Sequence, residues 1–209
     1  MKENEGKPKK RKNRSKVFTW LIIIGAACLC IAGGITASNF YTEYRAKINA
    51  AEISAKVEEQ ISDKDKDNSY LINPDVPMKV VWIDGIPYVG NLEIPNLDLK
   101  LPIIADCTDA NLKIAPCRYE DTTPYREHFI IAGHNYSAHF GRLVGADYKS
   151  KVIFTDMDDN KFEYEIGDVE TMRPTEIERM DTGGWSLTLF TCDYSGRARV
   201  AVRCYATDY

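Results

Sequence analysis

Residues 186–204 read SLTLFTCDYSGRARVAVRC. Leu187 and Leu189 alternate with polar neighbours, and so do Val200, Val202 and Cys204, which is the period of a strand with one buried face. Asp193-Tyr-Ser-Gly196 supplies turn residues between the two runs. The stretch predicts two strands, the first ending at Cys192 and the second entering at Arg199. Arg197, Arg199 and Arg203 share one parity on the second strand, opposite Val200, Val202 and Cys204. Their plain reading is a solvated strand face. Their functional reading is a guanidinium that donates to an oxyanion or a peptide carbonyl.

The same period recurs upstream. Leu92, Ile94, Leu97, Leu99 and Leu101 alternate with polar residues, and Pro95 inside the run predicts a bulge or an edge. Phe129-Ile-Ile-Ala132 is a short buried strand. Residues 152–155 and 161–166 flank Asp156-Met-Asp-Asp-Asn160 as a hairpin. Residues 108–119 predict a short helix capped by Thr108 or Asp109. Many short strands separated by turns predict a mostly β sandwich or barrel over residues 74–209, long enough to bury a core.

Of the 209 residues, 1–16 hold eight Lys or Arg against Glu3 and Glu5, and 17–37 hold no charge. The net charge of −4 therefore leaves −10 on residues 38–209, which argues against a nucleic-acid partner for the domain. The run 17–37 matches a ~30 Å hydrocarbon core. Its basic flank predicts a cytoplasmic tail (1–16), a transmembrane anchor (17–37) and an external domain. A cleaved signal peptide is the alternative, with a shorter apolar core than this one. Residues 38–73 read as an amphipathic stalk helix followed by a charged linker. Cys28 and Cys30 fall in the anchor. Cys107, Cys117, Cys192 and Cys204 fall outside it, where disulfides are permitted; Cys107 and Cys117 flank the short helix, and a bond between them is left open. There is no CxxC and no zinc spacing. Asp156, Asp158 and Asn160 lack the glycine and terminal glutamate of a calcium loop, so they read as a turn. Neither metal nor cofactor is expected.

Three residues carry chemistry. His134 follows a buried strand beside Gly133, where a rigid scaffold presents a side chain. His128 and His139 read as surface residues. Cys192 ends a strand before a turn, and a thiol there needs a nearby base or cation to act as a nucleophile. A half-cystine is the alternative.

Thr188-Leu-Phe-Thr-Cys192 matches the TLxTC motif of sortases, Ala132-Gly-His-Asn135 looks like that family's catalytic-histidine strand end, and Arg199 enters an apolar strand as the family's arginine does. Residues 89–102 are similar to its opening pair of strands. The resemblance implies an eight-stranded sortase β-barrel with short helices behind an N-terminal transmembrane helix. It implies a Gram-positive cysteine transpeptidase that cuts an LPxTG-like sorting motif on secreted proteins. The acyl group then passes to an amine of a cell-wall precursor or a pilin. Cys192 would be the nucleophile, His134 the general acid and base, Arg199 the carbonyl or oxyanion donor, and Thr191 a substrate-positioning residue. His134-Asn135-Tyr136 resembles class B, residues 111–116 and 123–124 resemble classes A and D, and the class stays open. Two other functions fit the residues: an extracellular cysteine peptidase using water, and a non-enzymatic surface domain with two disulfides.

Overall fold

The computed structural model describes residues 12–61, 66–126, 128–176, 179, 182–192 and 197–207. The first eleven residues of the basic tail, part of the 63–70 linker and the turn 193–196 lie outside the described residues. Helix α1 (Lys12–Ile61) runs through two compact units, Met1–Thr42 and Glu43–Tyr209. In the first unit, the 26-residue segment Lys16–Tyr41 contains an 18-residue window with a mean hydropathy of 2.2 that is uncovered by protein. It is long and apolar enough to cross a membrane. Thr36 Oγ1 within it donates to the Ala32 carbonyl at 2.9 Å, the local bond that lets a hydroxyl sit in an apolar helix.

In the second unit, α1 is not the free stalk that its charged pattern suggested. Ala50, Ser54 and Val57 are buried, at the i, i+4, i+7 spacing of one helix face. Ser54 Oγ donates to Asn91 Oδ1 and Asn91 Nδ2 donates to the Ser54 carbonyl, both at 3.1 Å. Lys56 pairs with Asp84, and Lys100 reaches back to Glu58, both at 2.9 Å. Tyr44 and Ile48, earlier on the same helix, stay exposed.

The strands are β1 (Val81–Ile83), β2 (Ile86–Ile94), β3 (Leu99–Ile104), β4 (Cys117–Arg118), β5 (Phe129–Ala132), β6 (Lys151–Asp156), β7 (Lys161–Met172), β8 (Leu187–Cys192) and β9 (Arg199–Ala206). Eight of them close a barrel in the order β2-β3-β4-β5-β8-β9-β7-β6, with β6 pairing back onto β2. β1 lies outside the ring as a hairpin on β2. Its turn, Asp84-Gly85, has φ of 51° and 80°, the left-handed pair that a two-residue hairpin needs. The β2–β3 ladder carries a bulge between Tyr88 and Gly90, and the closing β2–β6 ladder begins at Gly90. Gly90 has φ 154°, and a Cβ there would stand 2.1 Å from the Thr155 carbonyl oxygen.

Pro95 marks neither a bulge nor an edge. It opens the 3-10 turn Pro95–Leu97 and Asp98 follows at φ 49°, so the alternating run is two strands. The Asp156–Asn160 turn is closed by Asp156 itself. Its carboxylate accepts from the Asp158 and Asn160 amides, Asn160 Nδ2 and the Tyr125 hydroxyl, at 2.8–3.0 Å. Helix α2 (Asp109–Leu112) is capped by Thr108, whose hydroxyl accepts from the Asn111 amide. Leu187, Leu189, Val202 and Cys204 join Phe129, Ile131 and Phe154 inside the barrel. A second cluster joins Val57 of α1 to Tyr88, Ile104 and Cys117.

The docked helix makes a checkable distinction. Val57→Ala is expected to lower unfolding stability by about 2 kcal/mol through lost burial and a cavity, while Ile48→Ala stays within about 0.5 kcal/mol. Denaturant titration of the full chain in detergent measures both, and equal effects would restore the stalk.

Candidate active site

The three candidate residues meet through strand register. Cys192 is the last residue of β8 and Arg199 the first of β9, and the two are paired directly across the antiparallel ladder. β5 runs parallel to β8, with Ala132 opposite Phe190 and the Gly133 amide donating to the Phe190 carbonyl at 3.0 Å. His134 lies two residues beyond the end of β5, at the end of the sheet where β8 finishes at Cys192 and β9 begins at Arg199. The Cys192 side chain lies outside what the structure describes; its backbone position carries the argument.

Alternation divides the same strands into two faces. Thr188, Phe190 and Cys192 share one face with Arg199, Ala201 and Arg203. Thr191 takes the other face. It is 2% exposed, sits level with Val200, and its hydroxyl has no hydrogen-bond partner among the described residues. Direct contact between Thr191 and a substrate does not fit that burial. The arginines also depart from the solvated face expected for them. Arg197 is exposed and precedes the strand, Arg199 is half-buried, and Arg203 is buried.

The loop after β5 fixes the histidine. Its chain turns back at once, and the Phe140 amide donates to the His134 carbonyl at 3.1 Å. A Cβ on Gly133 would lie 2.6 Å from the Phe140 ring, and one on Gly141 would lie 2.4 Å from the Asn135 carbonyl. Both glycines are therefore demanded by close approach. The Tyr136 ring lies 5.0 Å from His134 and 5.5 Å from His139. His139 is not on the surface, as the sequence suggested, but fully buried.

Electrostatics follows from this packing. Burial, then the Lys113 charge, lowers the His134 pKa, and Asp109 opposes both. At neutral pH the neutral imidazole is thereby favoured. The pKa of His139 is pushed down to about 4, first by burial and then by the neighbouring His134 charge. Among the described residues neither His139 nitrogen has a hydrogen-bond partner, although the Ile114 backbone opposes the shift. Lys113 and Asp109 escaped the sequence reading because only the fold brings the α2 region beside β5. At the other end of that segment Cys107 and Cys117 are free thiols, and Cys117 Sγ donates to the Ala115 carbonyl at 3.4 Å. The neighbouring Cys117 lowers the pKa of Cys107, and Cys107 together with burial raises that of Cys117.

A family model described as a sortase domain matches residues 92–207, more than half of the chain. Sortase A of Bacillus anthracis is 25% identical over 191 residues, 86% of this chain and 89% of that protein. The sortase C structure from Streptococcus pneumoniae superposes with a TM-score of 0.61 at 19% identity, covering 76% of this chain and 97% of that one. Sortase C1 of Streptococcus agalactiae superposes at 0.55 with 21% identity, covering 61% and 72%. At these identities the structural likeness speaks for the fold.

Two pH experiments test the electrostatics. Lys113→Gln removes a cation beside His134 and raises its pKa, whereas Asp109→Asn lowers it; NMR titration of His134 in a Cys192→Ala background reads both. His139 binds a proton more readily unfolded than folded. Its contribution is therefore complete above pH ~6.5 and is lost as pH falls toward about 4. The loss is on the order of 3 kcal/mol. His139→Phe is expected to flatten that acid limb in pH-dependent unfolding.

Proposed function

From the membership of this chain in the sortase family of cysteine transpeptidases, we propose that it is a membrane-anchored enzyme that joins sorting-motif proteins to an amine. The observation that carries the assignment of residues is the pairing of Cys192 with Arg199, with His134 two residues past the end of the neighbouring strand β5. The apolar part of α1 (residues 17–37) anchors the chain, the basic tail stays in the cytoplasm, and the domain works outside the cell.

The chemistry is an acyl transfer in two halves. The Cys192 thiolate attacks the scissile carbonyl of an LPxTG-like motif and forms a tetrahedral oxyanion. Arg199 donates to that oxyanion from the strand beside the nucleophile. The C–N bond then breaks, and His134 gives its proton to the departing amine, leaving a thioester on Cys192. An incoming amine, from a cell-wall precursor or a pilin lysine, attacks the thioester. His134 takes the amine proton, Cys192 leaves as thiolate, and a new amide is formed. His134 thus needs a proton in the first half and none in the second, and the lowered pKa suits the second. Thr191 acts on substrate only through the geometry of β8. Water in place of the amine would give hydrolysis, and partition between the two products decides against a peptidase.

Mass spectrometry of the full chain with a library of sorting peptides and a small amine tests this reading. Amide products that vanish in Cys192→Ala are expected, and hydrolysis alone would overturn transpeptidation. The arginine assignment has its own test. A two-residue step along a strand moves a side chain by roughly 7 Å. A donor needed about 3 Å from an oxygen cannot absorb that step. Arg199→Lys should lose most activity, by about 10²-fold or more, without unfolding the domain. Arg197→Lys should stay largely active; the reverse result would move the role to Arg197.

A further inference from the structure

Parallel strands cannot be joined by a tight turn, so β3 reaches β4 through the crossover 105–116. The two ends of that crossover are held side by side. Ile104 pairs with Cys117, the Ile104 amide donates to the Pro116 carbonyl at 2.9 Å, and Arg118 Nε donates to the Ala105 carbonyl at 3.1 Å. Cys107 follows the end of β3 by three residues, and Cys117 opens β4. Cys107 packs against the buried cluster that holds Cys117 together with Tyr88, Ile104 and Val57 of α1. Each thiol acts directly on the other, so the two are immediate neighbours. Cys204 belongs to the separate cluster inside the barrel.

The two thiols are unequal. Cys107 is half-buried and Cys117 is fully buried. Cys117 favours the thiolate of Cys107, against burial and the Asp109 charge. Cys107 and burial both keep Cys117 protonated. An accessible thiol that ionises readily beside a sheltered one is the arrangement of an attacking and a resolving cysteine. The segment between them carries α2 and is held by few bonds. The Leu112 amide donates to the Thr108 carbonyl at 2.9 Å, and the Ile114 and Ala115 amides donate to the Asn111 carbonyl at 2.8 and 3.1 Å. A helix of one turn is marginal without such support. Yet this segment brings Asp109 and Lys113 to bear on His134, and the Ile114 backbone on His139.

We propose that Cys107 and Cys117 are a disulfide-forming site that staples the β3–β4 crossover and, with it, the charges beside His134. The co-reactant is an external disulfide. The Cys107 thiolate attacks one of its sulfurs, a mixed disulfide forms on Cys107, and one thiolate leaves. Cys117 gives its proton to that thiolate and attacks the Cys107 sulfur. The Cys107–Cys117 bond forms, and the second half of the reagent departs as a thiolate. Two protein thiols are oxidised, and one external disulfide is reduced to two thiols. A cross-link at the base of the crossover removes its open conformations. The inference takes its oxidising compartment from the external placement proposed above.

The test uses the full chain in detergent, carrying Cys192→Ala so that the nucleophile takes no part. The chain is incubated with oxidised glutathione, alkylated, digested with trypsin and weighed by mass spectrometry. Cleavage after Lys113 separates the two cysteines, so peptides 101–113 and 114–118 are expected joined, two hydrogens lighter than their sum. Against the same chain in dithiothreitol, oxidation should raise Tm by roughly 5–10 °C. Amide exchange at Leu112, Ile114 and Ala115 should slow by about tenfold or more. Both effects should vanish in Cys107→Ser, which changes a half-buried side chain and leaves the core thiol in place. Separate glutathione adducts, two alkylated thiols, or a bond from either residue to Cys204 would overturn the pair. A joined pair with unchanged exchange would overturn its hold on the segment. None of these readouts requires transpeptidation, so this inference and the functional reading fail separately.

Discussion

The site depends on one constraint, the parallel pairing of β5 with β8. Parallel neighbours end on the same side of a sheet, so residues that follow them emerge together. Antiparallel pairing of the same strands would have sent His134 and Cys192 to opposite ends of the barrel. β9 then turns back beside β8 and delivers Arg199 where β8 delivers Cys192. β8 and β9 contribute strand residues, and His134 comes from the loop that follows β5. The cost is a long excursion between β5 and β8, because parallel strands need a crossover. The β6–β7 hairpin occupies that excursion and completes the ring through β2.

Position alone does not make a histidine useful, and the chain after β5 adds rigidity and charge control. Gly133 and Gly141 allow Phe140 and the Asn135 carbonyl to press against the backbone. The loop is therefore packed with little room to relax. Desolvation and Lys113 then act on the imidazole in the same direction, with Asp109 as a counterweight. His139 sits behind this arrangement as a buried neutral ring. Two imidazolium ions at that spacing would repel in a poorly solvated site. Keeping the inner one neutral removes that repulsion and leaves the outer one free to exchange its proton.

The strands and the three candidate groups were legible because their signals are local. Alternation over Leu187–Thr191 and Val200–Cys204 is a property of neighbours in sequence, and so is a thiol at a strand end. The eight-stranded barrel followed from the resemblance of TLFTC, the AGHN segment and the arginine strand to sortases. What escaped was non-local. Nothing around Ser54 announces Asn91 as its partner, so the helix read as a stalk. His139 lies among Ser137, Ala138 and Phe140 with no period to mark it as buried. Pro95 was recognised as an interruption, but a turn and a bulge interrupt alternation alike. The two-residue strand β4 is too short to show any period.

The same alternation explains why one pentapeptide serves both stability and chemistry. Within Thr188–Cys192, Leu189 and Thr191 share one face of the strand, while Thr188 and Phe190 take the other, and Cys192 ends the strand. The first pair is constrained by packing density, which tolerates few changes of volume. The other three residues have separate tasks along about 13 Å of strand. Thr188 receives the Arg203 guanidinium. Phe190 meets Tyr119 edge-on in a small cluster with Ile130, Met172 and Ala201. Cys192 ends the strand opposite Arg199. A slip of one residue in the β8–β9 register would exchange the faces and expose core side chains such as Leu187 and Leu189. The apolar residues of β8 and β9 therefore fix the backbone position of Cys192 opposite Arg199.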